Sequence, residues 1–192
     1  MDNVKLNQRL ETLFQRFPLL LPTLQKLNNA DIPYMIGGSG VLYLYGNERL
    51  PDDVDIFLLA SDHDKTDKIF GITSYTYVSP LENVRNSNPQ GDHSVQLTSN
   101  LKITRDGRTY DLNPTATLLS RRGLGQYKGE DVHLMPPEEP LLIKAILRRG
   151  VEVKKNDLED IQNFLKIYPD IDRIYLKKRW EELHLPQDAW SF

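Results

Sequence analysis

Residues 34–59, YMIGGSGVLYLYGNERLPDDVDIFLL, constrain this chain more than any other stretch. They read as strand, glycine turn, short helix, loop and strand. Tyr34, Met35 and Ile36 form an apolar run that stops at Gly37-Gly38-Ser39-Gly40. Glycine there lets the backbone turn sharply and approach a bound group closely. Residues 41–45 are expected to form a helix whose first amides point back at the turn. Free amides at a helix start suit an anion such as phosphate.

A second apolar run, 54–59, opens with Asp53 and Asp55. In a strand, residues i and i+2 share a face. The two carboxylates therefore project together, with Val54 and Ile56 turned the other way. Carboxylates this close repel unless a cation lies between them or one is protonated. A hard ion such as Mg²⁺ suits oxygen ligands and keeps waters and substrate phosphates as its other ligands. A phosphate cradle followed by such a pair is what metal-assisted phosphoryl or nucleotidyl transfer requires. The competing reading is a helix and turn whose aspartates are solvated charges or caps. Against it, Ile56-Phe57-Leu58-Leu59 reads as a buried strand, so Asp55 sits where the chain enters a core. Asp52 is out of register with the pair and points away from it. Arg49, in the loop before them, can reach a nucleotide phosphate or simply lie in solvent.

A length of 192 residues fits one domain, or one domain with a helical annex. Hydrophobic residues at 39% can build a core, and a net charge of −3 gives no global pull toward nucleic acid. With no cysteine, disulfides, thiolate metal sites and cysteine nucleophiles are excluded. No apolar stretch is long enough to span a bilayer. Charged residues scattered through the first turns argue against a secretory signal, so a cytoplasmic location is expected.

Two apolar-periodic segments, 4–17 and 19–27, read as packing helices. Ser61 is expected to cap a short charged helix over 61–68. His63, between Asp62 and Asp64, reads as part of that polar helix start rather than a metal ligand. Residues 75–78 are expected to form a strand. Residues 79–94, with two prolines and a glycine, read as a lid or acceptor-binding loop in which His93 is the one catalytic histidine candidate. Residues 95–97 and 101–104 alternate as two strands, and Asp106-Gly107 forms a hairpin turn into a return strand over 109–112. Residues 118–128 are basic, with Arg121 and Arg122 able to face triphosphate or RNA backbone or to stay solvated. The last third is helical: one helix from Pro136-Pro137 to Gly150, one over 157–167 opened by an Asn156/Glu159 capping box, and a third over 172–183 with a basic patch at Lys177-Lys178-Arg179.

Gly37-Gly38-Ser39 followed by Asp53-Val54-Asp55-Ile56 resembles the hG[GS]…DhDh signature of the nucleotidyltransferase superfamily, the polymerase-beta-like fold. The resemblance implies an α+β fold. A small mixed β-sheet with helices packed on one face would occupy 1–135, and a helical C-terminal region, 136–192, would complete the site. It implies catalytic, metal-binding carboxylates at Asp53 and Asp55 and a third at Asp111, on the return strand. It implies nucleotide contacts from Gly37, Gly38, Ser39 and Arg49, and one or two Mg²⁺ ions, with Mn²⁺ as a substitute. The segments PPEEPLLIKAILRRG and KKNDLEDIQNFL resemble the C-terminal motifs of AbiE-type nucleotidyltransferases, the toxin half of some toxin–antitoxin and phage-defence systems. That second resemblance adds Lys144, Asp157 and Asp160 to the nucleotide site. Asn156 stands where that family often has lysine, a place Lys154 or Lys155 can fill. The implied activity is transfer of NMP from an NTP to the hydroxyl of an RNA 3′ end or a protein, with a cognate antitoxin as partner. A small-molecule acceptor of the antibiotic type, and a non-catalytic binding module of the same fold, are the alternatives.

Overall fold

The computed structural model describes residues 3–72, 82–87, 94–151 and 156–190. Apolar spacing drives the first two helices. Helix α1 (Asn3–Arg16) buries Leu6, Leu10, Leu13 and Phe14, and α2 (Leu20–Asn29) buries Leu20, Leu24 and Leu27. Strand β1 (Tyr34–Ile36) then enters the sheet, and helix α3 (Gly38–Leu44) follows directly. Strand β2 (Val54–Leu58) returns antiparallel to β1, pairing Tyr34 with Leu58 and Ile36 with Ile56. The Gly37 amide donates to the Asp55 carbonyl at 2.9 Å and extends that ladder to the glycine turn.

Beyond β2 come a 3₁₀ turn at Ala60–Asp62, α4 (His63–Phe70) and strand β3 (Glu82–Ser87). Strand β4 (Val95–Arg105) turns at Asp106-Gly107 into β5 (Arg108–Asp111). Helix α5 (Ala116–Ser120) leads to a hairpin, β6 (Gly123–Tyr127) and β7 (Glu130–Leu134). The sheet order is β3-β4-β2-β1-β7-β6, with β5 also paired to β4. Strands β2 and β4 are parallel, as are β1 and β7, whereas the other pairings are antiparallel. The sheet is mixed, as the α+β reading requires.

Register and close contacts place several helices on one face. Ile36 pairs with Ile56 and with Leu134, and residues in register share a face. Gly40 of α3 lies against Ile36 and Val54, and Gly125 of β6 lies against Leu6 and Leu10 of α1. Phe14 of α1 stacks on Tyr127 of β6 with ring centroids 4.1 Å apart. The C-terminal region consists of α6 (Glu138–Leu147), α7 (Asp157–Ile167) and α8 (Arg173–Glu182). Helix α6 touches β4 and α3, and carries α7 and α8 on its other sides. Among the described residues no helix is long and apolar enough to cross a membrane.

Several local expectations change. Residues 95–97 and 101–104 belong to one continuous strand, because β3 pairs along β4 on both sides of residue 100. Residues 82–87, expected to be loop, form that edge strand. Its sequence, ENVRNS, carries no apolar alternation by which a strand could be read. The stretch 118–128 divides between α5 and β6. Ser61 does not cap α4; Asp62 holds the N-cap position, and its carbonyl accepts from the Thr66 hydroxyl at 2.7 Å. The expected strand at 75–78, His93, Lys154, Lys155 and most of the 79–94 loop lie outside the described residues.

Candidate active site

Two glycines shape the junction between β1 and α3. Gly38 has φ +55°, a left-handed conformation that other residues adopt at a cost. A Cβ there would stand 2.2 Å from Asp55 Oδ2. A Cβ on Gly37 would strike the Phe57 ring at 2.4 Å. The turn is therefore pressed against the carboxylate-bearing strand, and side chains at either position would push it away. Ser39 follows at the first turn of α3.

Asp53 and Asp55 stand at the start of β2, half-buried, while Val54 and Ile56 are fully buried. This is the alternation read in the sequence, and it puts both carboxylates on one face. Gln96 of β4 pairs in register with Asp55, and its Nε2 donates to Asp53 Oδ2 at 3.4 Å. Two carboxylates in parallel projection, with open glycine backbone beside one of them, fit a hard divalent cation as oxygen donors. Among the described residues no group of three His, Cys, Asp or Glu side chains is placed to hold a metal ion. Waters or substrate oxygens would have to supply the remaining ligands.

A narrow cleft opens beside the pair. Ser39, Arg49, Asp53, Lys144 and Asp160 line it, with Asn47 and Asp52. Its volume of about 20 Å³ suits an ion- or water-sized group. Five residues singled out in the sequence thus meet at one place, drawn from α3, the loop before β2, α6 and α7. Arg49 is mostly exposed and lies 3.6 Å from Asp52, which also approaches Arg16 at 3.9 Å.

Lys144 is almost wholly buried, and its Nζ lies 3.1 Å from Asp157 Oδ1 and 2.7 Å from Asp160 Oδ2. An ammonium has three donors, so these contacts take two. Asp157 is fully buried at the start of α7 and accepts from the Arg149 backbone amide at 2.9 Å and Arg149 Nε at 3.0 Å. Burial alone would push its carboxyl up. The Arg149 hydrogen bonds and the Lys144 charge outweigh burial and hold it below the ordinary carboxylate range. Asp157 thus lies behind the cleft as a support for Lys144, not on its surface.

Asp111 does not join the pair. It pairs with Lys102, six residues along β4 from Gln96, the partner of Asp55. At a strand rise of ~3.3 Å per residue that separation is about 20 Å. Its Oδ1 accepts from the backbone amide of Asn113 at 3.1 Å and from Asn113 Nδ2 at 2.7 Å, which fixes the turn before Pro114. The hairpin continues along the far half of β4, whereas β2 covers the near half; sequence gives no sign of that division. Gln96, missed in the sequence, occupies the neighbouring position instead. Its signal is weak: a polar residue between Val95 and Leu97 in a strand that lies beside β2.

Other candidates are held elsewhere. His63 Nδ1 lies 2.8 Å from the Ser99 hydroxyl. Arg121 stacks on Tyr175 at 3.8 Å and pairs with Asp172 at 3.2 Å, so it is committed to α8. Arg122 lies near His133, whose pKa falls through burial and then through that positive charge.

No protein-family model matches the chain, and no curated protein matches it in sequence. Its backbone does match solved structures. The antibiotic-resistance factor ANT(2″)-Ia in solution aligns with a TM-score of 0.55 at 13% identity, covering 88% of this chain and 95% of that one. Crystalline ANT(2″)-Ia in complex with adenylyl-2″-tobramycin aligns with a TM-score of 0.55 at 12% identity, covering 86% and 99%. This is a nucleotidyltransferase fold. An antigenic nucleotidyltransferase-like protein from Paracoccidioides brasiliensis overlaps at 19% identity over 92% of this chain and 91% of that one, but its TM-score of 0.39 is too low to add to the assignment. Within the nucleotidyltransferase fold of this chain, the cleft sits where the glycine turn, β2 and the first C-terminal helices meet.

Proposed function

We propose that this chain is a Mg²⁺-dependent nucleotidyltransferase that moves NMP from an NTP to an acceptor hydroxyl. The observation that carries the reading is the convergence of Ser39, Arg49, Asp53, Lys144 and Asp160 on one cleft, beside the Gly38–Asp55 contact. Surface charges or helix caps have no reason to gather from four separate segments. In this reading Asp53 and Asp55 hold the divalent ion. When bound, the ion offsets charge on the triphosphate and at the α-phosphorus. The close Gly37-Gly38-Ser39 backbone admits a phosphate against β2. Lys144 directs its remaining donor to a phosphate oxygen, and Arg49 swings from Asp52 to another. Rate enhancement then comes from positioning and from fixed charge, without a covalent enzyme intermediate. Asp111 has no part in this reading, because its strand position is remote from the pair.

For the acceptor we favour an RNA 3′ end or a protein hydroxyl, in a toxin–antitoxin or phage-defence setting. The AbiE-like spacing of Lys144, Asp157 and Asp160 supports that choice, and a cognate antitoxin is the partner it suggests. The second reading is a small-molecule acceptor. Its support is the overlap with ANT(2″)-Ia, a fold neighbour solved in complex with adenylyl-2″-tobramycin.

The test incubates purified protein and Mg²⁺ with each α-phosphate-labelled NTP in a cell extract. Label in an RNA or protein band, lost in Asp53→Ala, is the expected result and identifies the acceptor class. Label only in small species moves the assignment to the second reading. No label under any NTP, with nucleotide still bound, removes the transferase reading.

A further inference from the structure

The strand that lies beside the aspartate pair contributes an uncharged side chain where a third charge would fit. Strand β4 runs parallel to β2 and sets Gln96 opposite Asp55. Residues in register project from the same face, so Gln96 stands with both carboxylates. Its amide lies 3.4 Å from Asp53 Oδ2. Asp53, as an acceptor, turns the nitrogen toward itself. A side-chain amide can serve a cation only through its oxygen, so in this orientation Gln96 steers Asp53 and does not compete for the ion. Among the described residues no other His, Cys, Asp or Glu completes a group of three with this pair. Two carboxylate charges balance one divalent ion and leave a second without compensation.

We propose that Gln96 is a positioning residue that orients Asp53 and limits this site to one divalent ion. The proposal rests on the nucleotidyltransferase reading of the Asp53/Asp55 pair. It gives Gln96 a role in metal handling that fold alone does not require, since Gln96 is only half-buried and adds little to the core.

The test titrates the intact chain with Mn²⁺ in the absence of nucleotide and follows free ion by electron paramagnetic resonance. Wild type should bind one Mn²⁺ per chain. Gln96→Glu, which adds a carboxylate a few ångströms away, should bind Mn²⁺ at least ~10-fold more tightly, since a unit charge about 4 Å from a divalent ion gains about 2 kcal/mol even at the dielectric constant of water. Gln96→Ala frees Asp53 and should weaken binding severalfold, whereas Gln96→Asn, which keeps the amide, should fall between Ala and wild type. Asp53→Ala should bind none. Circular dichroism and unfolding midpoints report whether each variant is folded, and the Gln96→Asn comparison survives failure of any one of them. Two ions bound to wild type, or Gln96→Glu binding as wild type does, overturns the proposal and leaves the transferase reading standing. No ion bound to wild type removes the metal role of the pair and, with it, this inference. Label transfer in the extract separates that outcome from loss of the transferase reading as a whole.

Discussion

The cleft has two walls, and both carry aspartates. On one wall Asp53 and Asp55 stand half-exposed at the mouth of β2, next to bare glycine backbone and the Gln96 amide. On the other, Lys144 and Asp160 line the cleft, and behind them Asp157 is fully buried and fastened to Lys144 and Arg149 through four oxygen contacts. The first pair is half-buried at the edge of the core and, in the proposed function, faces the incoming ligand. The second is bound up with the junction of α6 and α7, because a buried charge is tolerable only when paired and hydrogen-bonded. In the proposed reading the same residue type serves chemistry on one side and architecture on the other. Substitutions on the two walls should separate activity from stability.

The largest expected effect is on the first wall. Asp55→Ala should lower nucleotidyl transfer by ~10³-fold or more, the scale of losing a principal electrostatic group in a catalytic site. Its unfolding free energy should stay within about 0.5 kcal/mol of wild type, as for a substitution outside the core. Labelled-NTP assays and urea unfolding on the same preparation check both parts. Near-normal transfer would end the metal assignment.

The second wall should behave in the opposite way. Asp157→Ala leaves Lys144 and Arg149 without their shared partner and should cost about 3–5 kcal/mol in urea unfolding. Activity per folded molecule should fall less than in Asp55→Ala, because Asp160 still holds Lys144 at 2.7 Å. The same network sets a pH dependence. The folded-state pKa of Asp157 is depressed, so its contribution is complete above the ordinary carboxylate range and is lost as pH falls through its folded pKa. Asp157→Asn should flatten the acid limb of stability and leave the neutral region level. Unfolding free energies measured from pH 3 to pH 7 check the sign.

Gly38 joins the comparison from the side of geometry. Gly38→Ala would place a methyl group 2.2 Å from Asp55 Oδ2 and strain a backbone at φ +55°. Transfer should fall by about 10²-fold, the scale of a misplacement near 1 Å. The stability cost should be about 1–2 kcal/mol for the left-handed backbone. A wild-type rate in this variant would show that the turn gives way and does not set the carboxylate.

What could be read in the chain follows the range of the interactions. The glycine turn, the Asp53/Asp55 face and the first two helices rest on neighbours a few residues apart, and periodicity records them. Lys144 and Asp157 were recognisable as a motif, but burial makes Asp157 a support, and burial is not written in spacing. The edge strand β3 is hidden because five polar or small residues with a single valine give no alternation to detect. Arg121 looked like a free basic group because Asp172, its partner, lies 51 residues away. Gln96 and Asp111 depend on which half of β4 each neighbour covers. Local hydrophobicity is identical in the two arrangements, so only tertiary pairing decides between them.

The smallest predicted effect tests that pairing most directly. Asp111→Ala removes the acceptor of two Asn113 hydrogen bonds, which should cost about 1 kcal/mol of stability at a largely exposed turn. Transfer should stay within about twofold of wild type, because about 20 Å of strand separates Asp111 from the aspartate pair. Side-by-side rates for Asp55→Ala, Gln96→Ala and Asp111→Ala rank the three positions. With β2 on the near half of β4, the order of loss is Asp55, then Gln96, then Asp111. If Asp111→Ala instead lost activity as Asp55→Ala does, the hairpin would have to fold back onto β2, and Gln96 would give up its place beside the pair. Gln96 on β4 and Asp111 on β5 cannot both lie beside Asp55 at once, so one series of rates decides which residue the sheet delivers to the site.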